Sequence, residues 1–242
     1  MQQIALDLHR VEAPTLENFV AGRNAEALAC LRALRDGRRG DVPLVYLWGE
    51  PGCGKTHLAL ASAGAARALT PDAPAAAFEA LLADAAERAR IVAVLDVERL
   101  DAARQSLLFH LVNRMRAQPA SVLVATGAQP PLALPLRDEL RTRLGSGLVF
   151  RLHLLSDDEK AAALERVARE RGVATAPDVI PWLIAHTSRD IRALLRTFDA
   201  LDRRAFEQRR AITLPLLREW LAEAGTQGAP AADGEGREPL PS

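Results

Sequence analysis

The chain has 242 residues, 49% of them hydrophobic, enough to bury a core in one α/β domain with a smaller one appended. Lys+Arg and Asp+Glu both number 31, so no global positive field draws it onto nucleic acid, and any association with DNA has to be local or borrowed. Two cysteines without a CxxC pair exclude a disulfide scaffold, no apolar run approaches the ~20 residues of a membrane helix, and the start lacks a basic segment followed by an apolar one; together these predict a cytoplasmic protein with no membrane contact.

The first element in chain order is the stretch Gln3-Ile4-Ala5-Leu6-Asp7-Leu8, whose apolar and polar residues alternate. Such a run is either an edge strand of the core or an exposed peptide meant for a groove on another protein. Only two of the 31 basic residues are lysines, Lys55 and Lys160, and the other 29 are arginines, so a lysine retained here needs a reason.

Lys55 has one. The segment Gly49-Glu50-Pro51-Gly52-Cys53-Gly54-Lys55-Thr56 fits GxxxxGK[ST] at every fixed position. Before it, Pro43 to Trp48 is apolar and β-prone; after it, Thr56 to Leu69 is rich in Ala and Leu and predicts a helix. Glycines between a strand and a helix let backbone N–H groups turn inward around a phosphate, and the helix adds the positive end of its dipole. In that geometry Lys55 reaches the β and γ oxygens and the Thr56 hydroxyl ligates Mg²⁺. Cys53 lies inside the loop, which predicts a free thiol.

A second strand ending in an acid should follow. Ile91 to Leu95 supplies five apolar residues, the pattern of a strand buried on both faces, and Asp96 the carboxylate that completes a Walker B motif. The next position, where many ATPases carry the acid that activates water, is Val97. Glu98 follows, and on an extended strand it would point to the opposite face, so it is expected to be a solvated surface residue. These residues predict a protein that holds nucleotide and hydrolyses it poorly by itself.

Gln105 to Arg116 has helical spacing, Ser121 to Thr126 is another buried strand, and Gly127 to Leu136 is a Pro-rich loop. Asp138 to Leu144 reads as a short polar helix ending at Gly145, and Gly147 to Leu152 as a further strand. A strand is also expected near 75–82, but that span reads as helix and leaves the strand unplaced. The alternation predicts a parallel sheet with helices on both faces and ligands at the carboxyl ends of the strands. After residue 153 the pattern is all helix. Ser156 to Glu159 forms a capping box, Gly172 ends that helix, Pro177 starts a second through Ala185, Ser188 caps a third from Arg189 to about Gln208, and Thr213 caps a fourth, Leu214 to Ala224. The remaining tail has no apolar face to bury and is expected to be disordered.

A P-loop α/β domain followed by a small helical bundle resembles the AAA+ ATPases. The segment Thr15-Leu16-Glu17-Asn18-Phe19-Val20-Ala21-Gly22 resembles the one that opens the ATPase domain of the DnaA-related family and lies near the adenine. The resemblance covers about residues 14 to 224 and implies a P-loop AAA+ domain with a parallel sheet flanked by helices, plus a small C-terminal four-helix lid. It divides the chain into an N-terminal peptide and linker (1–13), the nucleotide-binding domain (14–153), the lid (154–224) and the tail (225–242). It also implies a nucleotide-binding set of Phe19, Val20, Gly49, Pro51, Gly52, Cys53, Gly54, Lys55, Thr56, His57, Thr126 and Arg192, with Thr126 as sensor 1 and Arg192 as sensor 2. ADP or ATP is the implied nucleotide, and Mg²⁺ is held by Thr56 and Asp96. Arg143 falls at the arginine-finger position, and Arg141 is a rival for the same role.

DnaA initiators carry a DNA-binding domain after the lid, whereas here only a short polar tail follows it. Placed ahead of such a module, Gln3 to Leu8 resembles the peptides that plug into the groove of the bacterial sliding clamp, with Gln3 bonding at one end and Ile4, Leu6 and Leu8 on the apolar side. This layout is similar to that of the regulatory inactivators of DnaA. It implies a negative regulator of replication initiation that holds ADP, sits on the sliding clamp (the β subunit of DNA polymerase III), touches DNA only through the clamp, and sends Arg143 in trans to the ATP held by DnaA. The competing expectations are a clamp-tethered adaptor without hydrolysis-stimulating activity and a helicase-loader ATPase. Oligomeric state, including a homo-oligomer, is left open.

Overall fold

The computed structural model describes residues 13–38, 42–84, 91–117, 121–187 and 190–227. The chain divides into two compact units, up to Leu155 and from Ser156. In the first, α1 (Ala25–Arg35) precedes β1 (Leu44–Trp48), α2 (Lys55–Ala63), β2 (Ala68–Leu69), α3 (Ala75–Asp84), β3 (Ile91–Val94), α4 (Ala102–Ala117), β4 (Val122–Gly127), α5 (Asp138–Gly145) and β5 (Leu148–Arg151). The five strands form one parallel sheet in the order β2-β3-β4-β1-β5.

Alternation along the strands builds a core on each face. Leu44 and Tyr46 of β1 point into a cluster with Phe78, Leu108, Leu111 and Met115, while Val45 and Leu47 point into one with Leu16, Leu31 and Leu58. Central β4 is buried at every position, which is why it reads as an unbroken apolar run; β5, at the edge, leaves Leu148 and Val149 exposed.

The missing strand is β2, not the span near 75–82. The helix expected from Thr56 to Leu69 stops at Ala63 because Gly64 adopts φ +77, and Ala68 and Leu69 then pair with Ala93 and Val94. Two residues are too few for a periodicity signal, and residues 75–82 are helical, as their composition indicates. Helix α1, to which the sequence reading assigns no element, buries Ala27, Leu28, Leu31 and Leu34 at helical spacing.

The second unit consists of α6 (Asp157–Arg171), α7 (Val179–His186), α8 (Ile191–Gln208) and α9 (Leu214–Gln227) around Leu164, Leu183, Leu194, Phe198, Leu201 and Leu217. The capping box is present: the Glu159 N–H donates to Ser156 Oγ at 3.2 Å, and the Ser156 N–H donates to Glu159 Oε2 at 2.7 Å. Gly172 ends α6 in the left-handed region. Lys160, the second lysine, is 7% exposed and donates to Asp157 Oδ1 at 2.7 Å. Helix α8 starts later than expected, at Ile191, because the Asp190 carboxylate accepts from the Arg192 N–H and caps it; Ser188 and Arg189 lie outside the described residues. Helix α9 continues past Ala224 to Gln227, so the first residues assigned to the tail are helical. Among the described residues no helix is long and apolar enough to cross a membrane.

Candidate functional site

The loop between β1 and α2 is shaped by glycines at positions that tolerate nothing larger. A Cβ on Gly49 would lie 2.4 Å from the Leu152 carbonyl oxygen, because β5 and its exit pass directly against the loop. Gly54, at φ +97, forms the N-cap of α2, and a Cβ there would meet the Phe19 ring at 2.6 Å. Lys55 Nζ donates to the carbonyls of Gly49 at 2.7 Å and Glu50 at 3.1 Å, which folds the ammonium over the loop. Left-handed glycines ahead of a helix N-terminus, with an ammonium above them, make a donor set suited to an oxyanion. Pro51 and Gly52 are exposed at the tip, whereas Cys53 is buried, and burial pushes its thiol up, opposed in part by the Lys55 charge. Both cysteines are free thiols.

Beyond β3 the chain turns sharply. Asp96 takes φ +45, a conformation that Asp tolerates better than most residues, and its N–H donates to Thr126 Oγ1 at 2.9 Å. Thr126, fully buried on neighbouring β4, therefore fixes the turn that presents the Asp96 carboxylate. Thr56, exposed in the first turn of α2, and the half-buried Asp96 are hard oxygen donors of the kind Mg²⁺ takes while keeping several waters. Among the described residues no group of three or more His, Cys, Asp or Glu is placed to hold a metal by itself.

Glu98 is not the solvated surface residue expected. The left-handed Asp96 and the 3-10 turn Val97–Arg99 end the strand before Glu98, so face alternation no longer sets its direction. Its Oε1 accepts from the Ala128 N–H at 3.1 Å just beyond β4, and its Oε2 is buried without a hydrogen-bond partner among the described residues. Tyr46 lies alongside: its hydroxyl donates to the Gln129 carbonyl at 2.8 Å, and burial, with the nearby Glu98 charge, pushes the phenol far above its ordinary range. A Cβ on Gly127 would collide with Tyr46 Oη at 2.0 Å. The backbone after Thr126 is thus pinned by two side chains that sequence reasoning leaves out of the site.

The segment before α1 is strapped onto the loop helix. Thr15 and Asn18 close a turn through reciprocal hydrogen bonds of 2.9 and 3.0 Å, and Leu16 is fully buried. His57, on α2, places Nε2 2.9 Å from the Thr15 carbonyl oxygen and packs against Phe19, with ring centroids 5.3 Å apart. His57 is therefore directed at the strap. Val20 is half-buried at the end of the strap. Asn24, buried at 4% exposure, is also absent from the sequence-based set: its side chain donates to the His153 carbonyl at 2.9 Å and accepts from the His153 N–H at 2.8 Å, tying the strap to the exit of β5. Its position in the Gly22-Arg23-Asn24 continuation of the strap is the available signal. A cavity of about 170 Å³ opens beside the loop, bordered by Trp48, Glu50, Ala128, Arg151 and His153, with the Arg151 guanidinium 5.2 Å from the centre of the Trp48 ring.

Helix α5 separates the two finger candidates. Arg141 is ion-paired with Asp138 and donates to the Leu132 carbonyl at 3.3 Å. Arg143, half-buried one turn from Glu139, has no ion pair or hydrogen bond through its guanidinium among the described residues; only its carbonyl is used, by Ser146. A groove of about 330 Å³ lies between α4 and α5, lined by Ser106, Phe109, His110, Arg137, Glu139 and Leu140. In the lid, Arg192 occupies the first turn of α8, with an exposed side chain 3.9 Å from Asp190. Gln3, Ile4, Leu6 and Leu8 lie outside the described residues.

Comparison with known proteins adds what the two units resemble. Residues 157–221 match the family model described as "Hda, lid domain". A Haemophilus influenzae protein described as uncharacterized is 27% identical over 229 residues, covering 91% of this chain and 98% of its own. Among solved structures, replication initiator DnaA bound to AMPPCP and single-stranded DNA superposes with a TM-score of 0.65 at 21% identity, over 88% of this chain and 69% of that one. Domain III of the Thermotoga maritima DnaA gives 0.63 at 20% identity, over 88% and 97%, and a point variant of the Thermotoga maritima RuvB gives 0.65 at 19%, over 88% and 72%. The sheet, the loop and the four helices after it have the fold of these DnaA and RuvB structures. The C-terminal helices match the Hda lid, and the chain as a whole shares its fold with DnaA structures.

Proposed function

We propose that this protein is a negative regulator of replication initiation that binds ADP or ATP in the β1–α2 loop and stimulates hydrolysis of the ATP held by DnaA. The observation that carries the reading is the contrast on α5: Arg141 is committed to Asp138 and Leu132, while the Arg143 guanidinium has no partner among the described residues. An arginine finger acts on phosphate held by a second molecule, and a guanidinium without ties in its own chain is available for that role.

The nucleotide held by the chain itself has a structural role. Gly52, Gly54 and Lys55 would receive its phosphates, Phe19 and Val20 would border its base, and Thr56 and Asp96 would hold Mg²⁺, which screens phosphate charge when bound. Thr126 keeps the Asp96 turn in place through its hydroxyl. Arg192, on the first turn of the lid's α8, is the residue proposed to read the phosphates from the lid. The AMPPCP named for the DnaA structure of similar fold supports nucleotide as the ligand class.

On the partner's ATP, Arg143 would neutralise charge that develops on the transferred phosphoryl group, stabilising the transition state more than the ground state. Gln3, Ile4, Leu6 and Leu8 would seat the chain in the groove of the sliding clamp, so that its contact with DNA is borrowed and inactivation acts where replication is under way.

The test is hydrolysis of DnaA-bound ATP in the presence of clamp loaded on DNA. Stimulation by the wild-type chain, abolished by Arg143→Ala and retained by Arg141→Ala, is expected. Unchanged stimulation by the Arg143 variant would overturn the finger and leave a clamp-tethered adaptor. The peptide is tested by clamp binding of the Gln3→Ala, Leu6→Ala double variant, which should lose it.

A further inference from the structure

His57 follows Lys55 and Thr56 in the loop helix, and its imidazole faces the strap that precedes α1. It is 7% exposed, its Nε2 lies 2.9 Å from the Thr15 carbonyl oxygen, and its ring packs against Phe19 at a tilt of 53°. Because a carbonyl only accepts, Nε2 carries the proton in this contact. The strap it grips is itself fixed. Thr15 and Asn18 bond reciprocally, the Asn18 side chain donates to the Ala13 carbonyl at 3.1 Å, the buried Leu16 gives its carbonyl to Arg32 of α1 at 3.0 Å, and Glu17 pairs with Arg35.

The other side of Phe19 touches the loop. Its ring edge sits 2.6 Å from the position a Cβ on Gly54 would occupy, so the aromatic ring covers the one residue whose φ of +97 starts α2. Glycine reaches that conformation at no steric cost and leaves it just as readily, so the turn needs an external brace to stay ordered. We propose that His57 is a positioning residue: through the ring of Phe19 it holds Gly54 in the conformation that points the loop N–H groups at phosphate, and nucleotide affinity depends on it. The inference rests on nucleotide binding in the β1–α2 loop and adds the path by which the strap before α1 controls it. Without the imidazole, Phe19 can swing away and Gly54 regains its freedom, so ordering the loop is charged to each binding event.

The test is equilibrium binding of ADP, and of a fluorescent ADP analogue, to the full chain and to His57→Ala, His57→Gln, Phe19→Ala and the Phe19→Ala, His57→Ala double variant. Circular dichroism establishes that each is folded at the temperature used. Loss of the ring contact should weaken ADP binding about threefold to tenfold in His57→Ala. Phe19→Ala should weaken it at least as much. The double variant should be no weaker than Phe19→Ala alone, since the histidine acts only through that ring. A merely structural histidine would lower the melting temperature and leave ADP affinity of the folded protein unchanged, and that result overturns the proposal. So does an additive double variant, which would place His57 on the nucleotide independently. If His57→Ala fails to fold, His57→Gln decides. Its amide can still donate to Thr15 but it has no ring, so weaker binding supports the brace and wild-type affinity overturns it. Wild-type protein that binds neither ADP nor ATP would remove the nucleotide reading itself, and the brace with it.

Discussion

The β1–α2 loop and helix α5 follow strands of one sheet, and they treat their cations in opposite ways. In the loop, Lys55 is held by two backbone carbonyls, Gly54 is covered by Phe19, and the neighbouring Asp96 turn is fixed by Thr126. On α5, Arg141 is held by the Asp138 carboxylate and the Leu132 carbonyl, but Arg143, two residues on, has no such tie among the described residues. Groups that serve a ligand of the chain itself are pre-positioned by internal bonds, which lowers the ordering cost of binding. A group meant for a ligand on another molecule gains nothing from an internal partner, which it would have to break before acting.

The comparison predicts its own largest effect. Arg143→Ala should reduce stimulated hydrolysis of DnaA-bound ATP on the order of 10³-fold or more, while Arg141→Ala, which removes only local ties, should change it several-fold at most. ADP binding by the chain should be the same in both variants, because neither residue belongs to the loop. A loss of ADP affinity in Arg143→Ala would break the comparison by making the two regions one.

Next in size is the strap. Leu16 is fully buried in the core that α1 and α2 share, and Leu16→Ala should lower the stability of the α/β unit by about 2–5 kcal/mol in denaturant unfolding. The lid, which has its own core, should keep its transition if the two units unfold separately. Within the site, Thr126→Val preserves shape but leaves the Asp96 N–H without its acceptor, at a cost of about 1–3 kcal/mol. Because that bond orients the turn at Asp96, the variant should also weaken the Mg²⁺ dependence of nucleotide binding, measured as the ratio of affinities with and without the ion.

The loop and helix α5 also differ in how much of them can be read from sequence. GxxxxGK[ST] between an apolar run and a helical one specifies a glycine-shaped turn from strand to helix, and β1, β3, β4, α5 and the capping box of α6 are legible because each has a clear period or cap. Helix α5 is legible as a helix, but choosing between Arg141 and Arg143 requires knowing that Asp138 and Leu132 occupy the first. Strand β2 escapes because two residues carry no period, and its existence depends on Gly64 breaking the helix before it. Glu98 is misjudged for a more general reason: face alternation holds only while the chain is extended, and β3 ends at Val94 with the left-handed Asp96 turning the chain before Glu98. For His57, sequence places the residue beside the loop, while its contacts with Thr15 and Phe19 come only from the fold.

The smallest effect concerns the pair at the end of β4, where burial and the Glu98 charge both disfavour ionised Tyr46. An acid whose folded pKa lies above its unfolded value of about 10 keeps its full stabilising contribution below that value and loses it as pH rises further. The α/β unit should therefore lose stability steadily above about pH 10, and ultraviolet titration should show Tyr46, the only tyrosine, ionising only as the unit unfolds. Glu98→Gln sharpens the point. It keeps an oxygen acceptor for the Ala128 N–H and replaces the partnerless buried Oε2 with a group that can donate, so stability at pH 7 should change by less than about 1 kcal/mol. The Tyr46 proton is already donated to Gln129, so the carboxylate acts on the phenol through its charge and not through a hydrogen bond. Removing that charge should lower the tyrosine pKa with the fold intact and shrink the alkaline loss of stability. An unchanged pKa would mean that burial by itself sets the alkaline limit.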